Sequence, residues 1–330
     1  MLNRAKKLAL QVRRALPLGS PNVADEKNAV NFPLYKKTIF ARDLVDSIFR
    51  TSPKEFKSDE TEKNLFKILL KALFTKVNQG GNCGEYNGLF FAECLKKGIS
   101  NSIEMIIING IKPNGNQDNH CVVLLDRDAK KQELTSPEKW EAPTLVCDTW
   151  NAMSKVDACL QQDSKRLEKI TGNFLSKVTS IVSKIRFEAN LTDKQWSRYL
   201  CFLKHVQSYL TVESQDLLLT STFINSINKK YKTKFPLFLQ IDIKPGEMLN
   251  AVIDEIKTEM LIVSKLIEKP AIPPNGAEEN TNHRSLMSSS TLEDVSLARN
   301  PNGIHWKRLS IEIIPEKPVD TPCSSICAVM

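Results

Sequence analysis

Long apolar runs are missing from this chain. No stretch approaches the roughly 20 apolar residues that a bilayer-spanning helix needs. The opening segment, MLNRAKKLALQVRRALPLGS, interrupts its apolar residues with charge every few positions. It therefore lacks the continuous apolar core of a secretory signal. That absence governs the reading of the eight cysteines, at 83, 94, 121, 147, 159, 201, 323 and 327. Without an export route, free thiols in a reducing compartment are expected rather than disulfides. The close-spaced CxxC pairs of a zinc module are also missing, so no metal site is expected, and no cofactor. Aromatic residues are scarce, at 7%. A nucleic-acid binder spreads basic residues over a folded face with aromatics among them, so nucleic acid is not the expected partner. Acidic residues are absent from residues 1–20, where Arg4, Lys6, Lys7, Arg13 and Arg14 supply five of the eight net positive charges. The rest of the chain is close to balanced, and no internal repeat is visible.

What is present is ordinary globular material: 41% apolar and 25% charged over 330 residues, enough for one large domain or two smaller ones. Residues 1–25 read as a basic amphipathic segment, with a helix over 2–16 placing Ala5, Leu8, Ala9, Val12 and Leu16 on one stripe. Such a helix docks on its own domain or meets a membrane surface. Helices are expected at 39–50, 60–78 and from Cys83 to Lys97, the last closed by Gly98. The period then changes. Residues 103–109, 121–126 and 144–147 are short, apolar and β-branched, which predicts three strands. From 156 to 268 a helical region is expected, with helices at 156–188, 192–211, 213–230 and 246–268 and a strand at 235–243. Residues 269–300, rich in Pro, Asn, Ser and Glu, read as a linker. A strand and tail follow over 301–330.

The segment Gly81-Asn82-Cys83-Gly84 places a cysteine on the first turn of a helix after a glycine turn. Exposed N–H groups and the helix dipole there stabilise a thiolate and can hold a developing oxyanion. Small neighbours let a substrate backbone come close. His120 opens one expected strand and Asp148 ends the next. Cysteine, histidine and acid can then meet at one sheet edge as nucleophile, base and orienter. Cys121 and Cys147 adjoin these residues on the opposite strand face and read as core. His205 reads as structural. His283 and His305 have no partner motif.

The motifs GNCGEYN, NHCVVLL and VCDTWN together resemble the transglutaminase-like, papain-like superfamily, in its order Cys, His, Asp or Asn. The resemblance covers about 81–151. It implies an α+β fold and a papain/transglutaminase-like core over 26–155 in which the cysteine helix packs on a small antiparallel sheet; the large helical extension read over 156–268 has no counterpart in the resemblance. It also implies Cys83 as nucleophile, His120 as base and Asp148 as third member. Gln79 is the oxyanion candidate, and Asn82, Gly84 and Trp150 flank the site. Gly84 stands where transglutaminases usually carry an aromatic residue, which leaves protease, deamidase and acyl-transferase chemistry all open.

Residues 327–330, Cys-Ala-Val-Met, match a prenylation box with Cys327 as acceptor, and Cys323 offers a site for S-acylation. A single prenyl chain anchors weakly, so a second signal is expected. The expectation is a thiol enzyme with a protein substrate, peripheral on the cytosolic face of a membrane, in a eukaryotic cell or as a bacterial effector in a host cell. The competing expectation is a non-catalytic, membrane-anchored helical interaction module.

Overall fold

A computed structural model describes residues 1–20, 31–57, 59–112, 114–137, 140, 143–150, 160–161, 177–188, 190–215 and 245–268. Among the described residues the elements are α1 (Leu2–Ala15), α2 (Asn31–Thr51), a short 3-10 turn (Lys54–Phe56), α3 (Glu60–Asn78), α4 (Cys83–Lys97), β1 (Ile103–Ile111), β2 (Gln117–Leu125), β3 (Leu145–Cys147), β4 (Leu160–Gln161), β5 (Lys177–Phe187), α5 (Asp193–Gln215) and α6 (Pro245–Glu268). The class is α+β. One sheet runs in the order β4-β3-β2-β1-β5, with every neighbouring pair antiparallel.

The helix that carries Cys83 lies at the centre. Its run CGEYNGLFFAECLKK is apolar nearly all round, and Tyr86, Leu89, Phe90, Phe91, Ala92, Cys94 and Leu95 are all buried. A helix without a polar face must be covered on every side. Here β1 and β2 cover one side, and α1 and α3 the others. Both boundaries of α4 are set locally. The Asn82 N–H donates to Glu85 Oε2 at 3.0 Å, one half of a capping box. At the other end Gly98 takes the left-handed conformation, φ 54°, and its N–H reaches the carbonyls of Cys94 and Leu95. In α3, Asp59 caps by accepting from Glu62 N at 2.8 Å, and Leu65, Phe66, Leu69, Leu70, Leu73 and Phe74 fill the core.

Each sheet face has its own apolar cluster, as strand alternation dictates. Met105, Cys121, Val123, Leu125, Leu145 and Cys147 join the helices in the main core. Ile106, Ile108, Val122, Leu124, Val146 and Ile181 pack with Trp140 on the other face. Cys121 and Cys147 are thus core residues, as their strand phase requires.

One expectation needs correction: the region 156–268 is not helical throughout. Residues 177–187, read as part of a helix over 156–188, form β5, which pairs with β1 along its length with shifts at Met105/Ile106 and Asn109/Gly110. KVTSIVSKIRF is rich in β-branched residues, and its apolar spacing suits either period; the free edge of β1 decides the outcome. The expected helices at 192–211 and 246–268 are present as α5 and α6, and both belong to the main core. Trp196, Tyr199, Phe202, Leu203 and Val206 recur at helical spacing, and Phe202 stacks on Phe66 with ring centroids 5.1 Å apart. A partly buried ionic network reinforces this docking: Lys96 contacts Glu259 at 3.0 Å and Glu93 at 2.7 Å, while Lys76 contacts Glu255 at 3.1 Å. Of the two expectations for the apolar stripe of α1, docking on its own domain is the one observed. Ala5, Leu8, Ala9, Val12 and Leu16 are buried in the main core. The expected helix at 213–230 is described only to 215, as the end of α5; the strand at 235–243, the linker and the tail lie outside the described residues.

Candidate functional site

Cys83 is the first residue of α4, with Asn82 as its N-cap. The N–H groups of a helix's first turn have no acceptor within the helix, and they carry its positive partial charge. The preceding turn is held from the N-terminal side. Leu18 N donates to Gln79 O at 2.9 Å and Gly81 N to Gly19 O at 3.1 Å, so residues 18–19 run alongside 79–81. Ser20 Oγ donates to Asn82 Oδ1 at 3.2 Å. The glycines of this turn serve that packing. A Cβ on Gly80 would stand 2.4 Å from Gly19 O, and one on Gly81 2.4 Å from Glu85 Cβ. Close approach by the chain itself therefore requires both.

His120 and Asp148 lie just past the last paired residues of the β2/β3 ladder, Val123↔Cys147. The strands part there, and Asn87 of α4 enters the gap. Its Nδ2 donates to Cys121 O at 2.7 Å and to Asp148 Oδ1 at 3.2 Å; its Oδ1 accepts from Thr149 N and Thr149 Oγ1, both at 2.9 Å. Asp148 Oδ1 also accepts from Trp150 N at 3.2 Å. On its other oxygen, Asp148 Oδ2 lies 2.6 Å from His120 Nε2, with both side chains fully buried. A carboxylate only accepts, so Nε2 carries the proton, and in a neutral ring Nδ1 is then the basic nitrogen. The Trp150 ring packs against the imidazole, centroids 5.2 Å apart at 54°, and shields the pair from water.

Asn87 also places Cys83. Residues four apart share a helix face, with about 5–6 Å between their Cβ atoms. Cys83 therefore sits one turn N-terminal of the residue that grips Asp148, on the same face. Its exposure is 4%.

A second buried cluster braces the first turn. Arg42 of α2 grips Glu85 through two bonds of 2.7 Å. Burial pushes the Glu85 carboxyl up, but Arg42, Lys71 and the Asn82 N–H together outweigh it and hold it below the usual carboxylate range. Burial brings Lys71 down to about 8, helped by Lys184 and opposed by Glu85. Elsewhere in the core, burial drives the Cys121 thiol up to about 12 and that of Cys94 well above its ordinary value.

No family model, curated protein or solved structure matches this chain. The geometry alone must therefore carry the functional argument. It joins His120 and Asp148 in one buried pair with the partly buried Trp150 packed against the imidazole, and Asn87, one turn along α4 from Cys83, bonds Asp148. Asn82 is 2% exposed, and its Nδ2 has no acceptor among the described residues. Gln79 is exposed at the C-cap of α3, with φ 57°, and its carbonyl serves the contact with Leu18. Gly84 lies half-buried in the first turn. His205 packs on Phe56, centroids 5.9 Å apart, as a structural residue. Among the described residues no group of three or more His, Cys, Asp or Glu could hold a metal ion. Cys323, Cys327, His283 and His305 lie outside the described residues.

The sequence reading missed Asn87 and the Arg42–Glu85 pair. Asn87 had a legible signal: it is a lone amide inside YNGLFF, and a polar residue in a fully buried helix needs partners. Arg42 had none, because only the packing of α2 on the core brings it to Glu85.

Proposed function

We propose that this protein is a thiol enzyme acting on amide bonds, with Cys83 as nucleophile, His120 as general base and Asp148 as the group that orients the histidine. The observation that carries the proposal is the buried 2.6 Å His120–Asp148 pair, tied through Asn87 to the helix that begins at Cys83. A buried histidine–carboxylate pair, bonded by Asn87 one turn along the helix that begins at Cys83, supplies the base and orienter that a cysteine nucleophile needs. His120 Nδ1 takes the Sγ proton, and the thiolate attacks the amide carbonyl carbon. The resulting oxyanion is met by first-turn N–H groups and by Asn82 Nδ2, a buried donor with no acceptor among the described residues. The tetrahedral species expels the amine, which leaves with the proton from His120, and a thioester remains on Cys83. Water, giving up its proton to His120, releases a carboxylic acid; an amine acceptor instead completes transamidation.

The experiment is alkylation of each cysteine by a small probe as a function of pH, read by mass spectrometry. Cys83 is expected to react below pH 7 in the wild type, and His120→Ala should abolish that low-pH reactivity. If Cys83 instead titrates near the free-thiol value of about 8.5 and ignores His120, the proposal fails.

A second reading, a non-catalytic interaction module with an inert cysteine core, is favoured by the 4% exposure of Cys83. It expects Cys83→Ala to change no cellular effect of the protein. No helix among the described residues is long and apolar enough to cross a membrane. The prenylation read from residues 327–330 is tested by the intact mass after incubation with farnesyl diphosphate and farnesyltransferase.

A further inference from the structure

The five cations and absent acids of residues 1–20 acquire a direction from the fold. Because α1 buries Ala5, Leu8, Ala9 and Val12, its opposite side faces outward. That side presents Lys7 and Arg14, both exposed, with Leu10 between them at 43% exposure; Leu18, three residues past the helix, is also exposed, at 46%. Exposed Lys97 of α4 extends the basic strip. Its Nζ donates to Gln11 Oε1 at 3.0 Å, while Arg4 Nη2 donates to the Lys97 carbonyl at 3.1 Å. The two acids of α4 are engaged by other cations, Glu85 by Arg42 and Glu93 by Lys96 and Lys76. The helix under α1 therefore offers its arginines no acid.

We infer that this outward face is a docking surface for an anionic lipid bilayer. Cations on a rigid helix meet the headgroups, and the two exposed leucines enter the acyl boundary. Nucleic acid would satisfy the cations but gives aliphatic side chains nothing to enter, and residues 1–20 contain no aromatic on which a base could stack. The surface differs from the apolar stripe of α1, which the core consumes.

The position of this face has a consequence that rests on the proposed chemistry. Leu18 and Gly19 are hydrogen-bonded to the turn that leads into Cys83. Docking would hold that turn beside the lipid, so the substrate class is protein segments displayed at an anionic membrane surface.

The test is co-sedimentation of the full chain carrying Cys327→Ser, so that no prenyl group contributes. The vesicles are pure phosphatidylcholine or phosphatidylcholine with phosphatidylserine. Binding to the phosphatidylserine vesicles alone is expected, and reversing Lys7→Glu together with Arg14→Glu should lower it at least tenfold. Leu10→Ser with Leu18→Ser, which leaves the charge unchanged and alters only exposed positions, should weaken vesicle binding several-fold with an unchanged melting curve. No binding to anionic vesicles overturns the inference, as does binding that ignores both pairs of substitutions. Binding to a single-stranded oligonucleotide that exceeds vesicle binding and is indifferent to the leucines would assign the face to nucleic acid instead. Because Cys83→Ala should leave vesicle binding intact, failure here is distinguishable from failure of the enzyme proposal.

Discussion

Asn87 is the residue on which the site geometry depends most, and exchanging its amide tests that geometry directly. Asn87→Ala removes four hydrogen bonds of 2.7 to 3.2 Å from a fully buried position. It strands the Cys121 carbonyl and the Thr149 N–H and takes one donor from Asp148. Leaving a buried polar group unsatisfied costs about 1–3 kcal/mol. Partial relaxation keeps the sum below a simple total, so a loss of about 3–5 kcal/mol is expected, a large share of a typical domain's stability. Asn87→Asp is the sharper probe, because it keeps the shape and the acceptor toward Thr149. Where an N–H pointed at Asp148 Oδ1 from 3.2 Å, it puts a second carboxyl oxygen. Two carboxylates that close cannot both stay ionised, so the introduced group, or Asp148, must hold a proton in the folded state. A folded pKa raised above the unfolded one means that the variant loses stability as pH rises and recovers it as pH falls. Urea denaturation at pH 5 and pH 8 reads this out: the midpoint deficit of Asn87→Asp should be larger at pH 8. If the variant matches wild type at both pH values, Asn87 does not face Asp148 and the site described here is wrong.

Removing Arg42 should leave Glu85 charged and buried, so Arg42→Met is expected to cost about 3–5 kcal/mol by chemical denaturation, much of it recovered when Glu85→Gln is added. Burial pushes the Glu93 carboxyl up, but Lys96 and Lys76 prevail and bring it down to about 2. Its contribution is therefore present above pH 4.5 and lost as pH falls toward 2, and the stability gap between wild type and Glu93→Gln should narrow across that window. Gly80→Ala would drive a methyl group into Gly19 O, so it should loosen residues 18–19 and raise hydrogen exchange at the Leu18 and Gly81 amides. Unchanged protection there would show that this contact does not hold the turn.

Local chemistry sufficed wherever one segment contains its own boundary signals. The helix over 83–97 needed only its apolar run, the Asn82–Glu85 capping pair and Gly98. The hairpin of β1 and β2 needed two β-branched runs and the intervening KPNGN turn. The same logic placed Cys83 on a first turn and Asp148 just past a strand end, whereas His120, expected to open its strand, is the fourth residue of β2 and pairs with Ile108 of β1. What needed the folded chain involves partners far apart in sequence. Residues 177–187 suit either period, and the open edge of β1, 75 residues earlier by the Ile107↔Val182 pairing, selects the strand. The stripe of α1 matched a membrane face as well as a protein face until the apolar surface of α4 claimed it. Arg42 bonds Glu85 across 43 residues and Asn87 bonds Asp148 across 61. A buried polar group announces in sequence that it needs a partner, but only the packing of distant elements chooses which one.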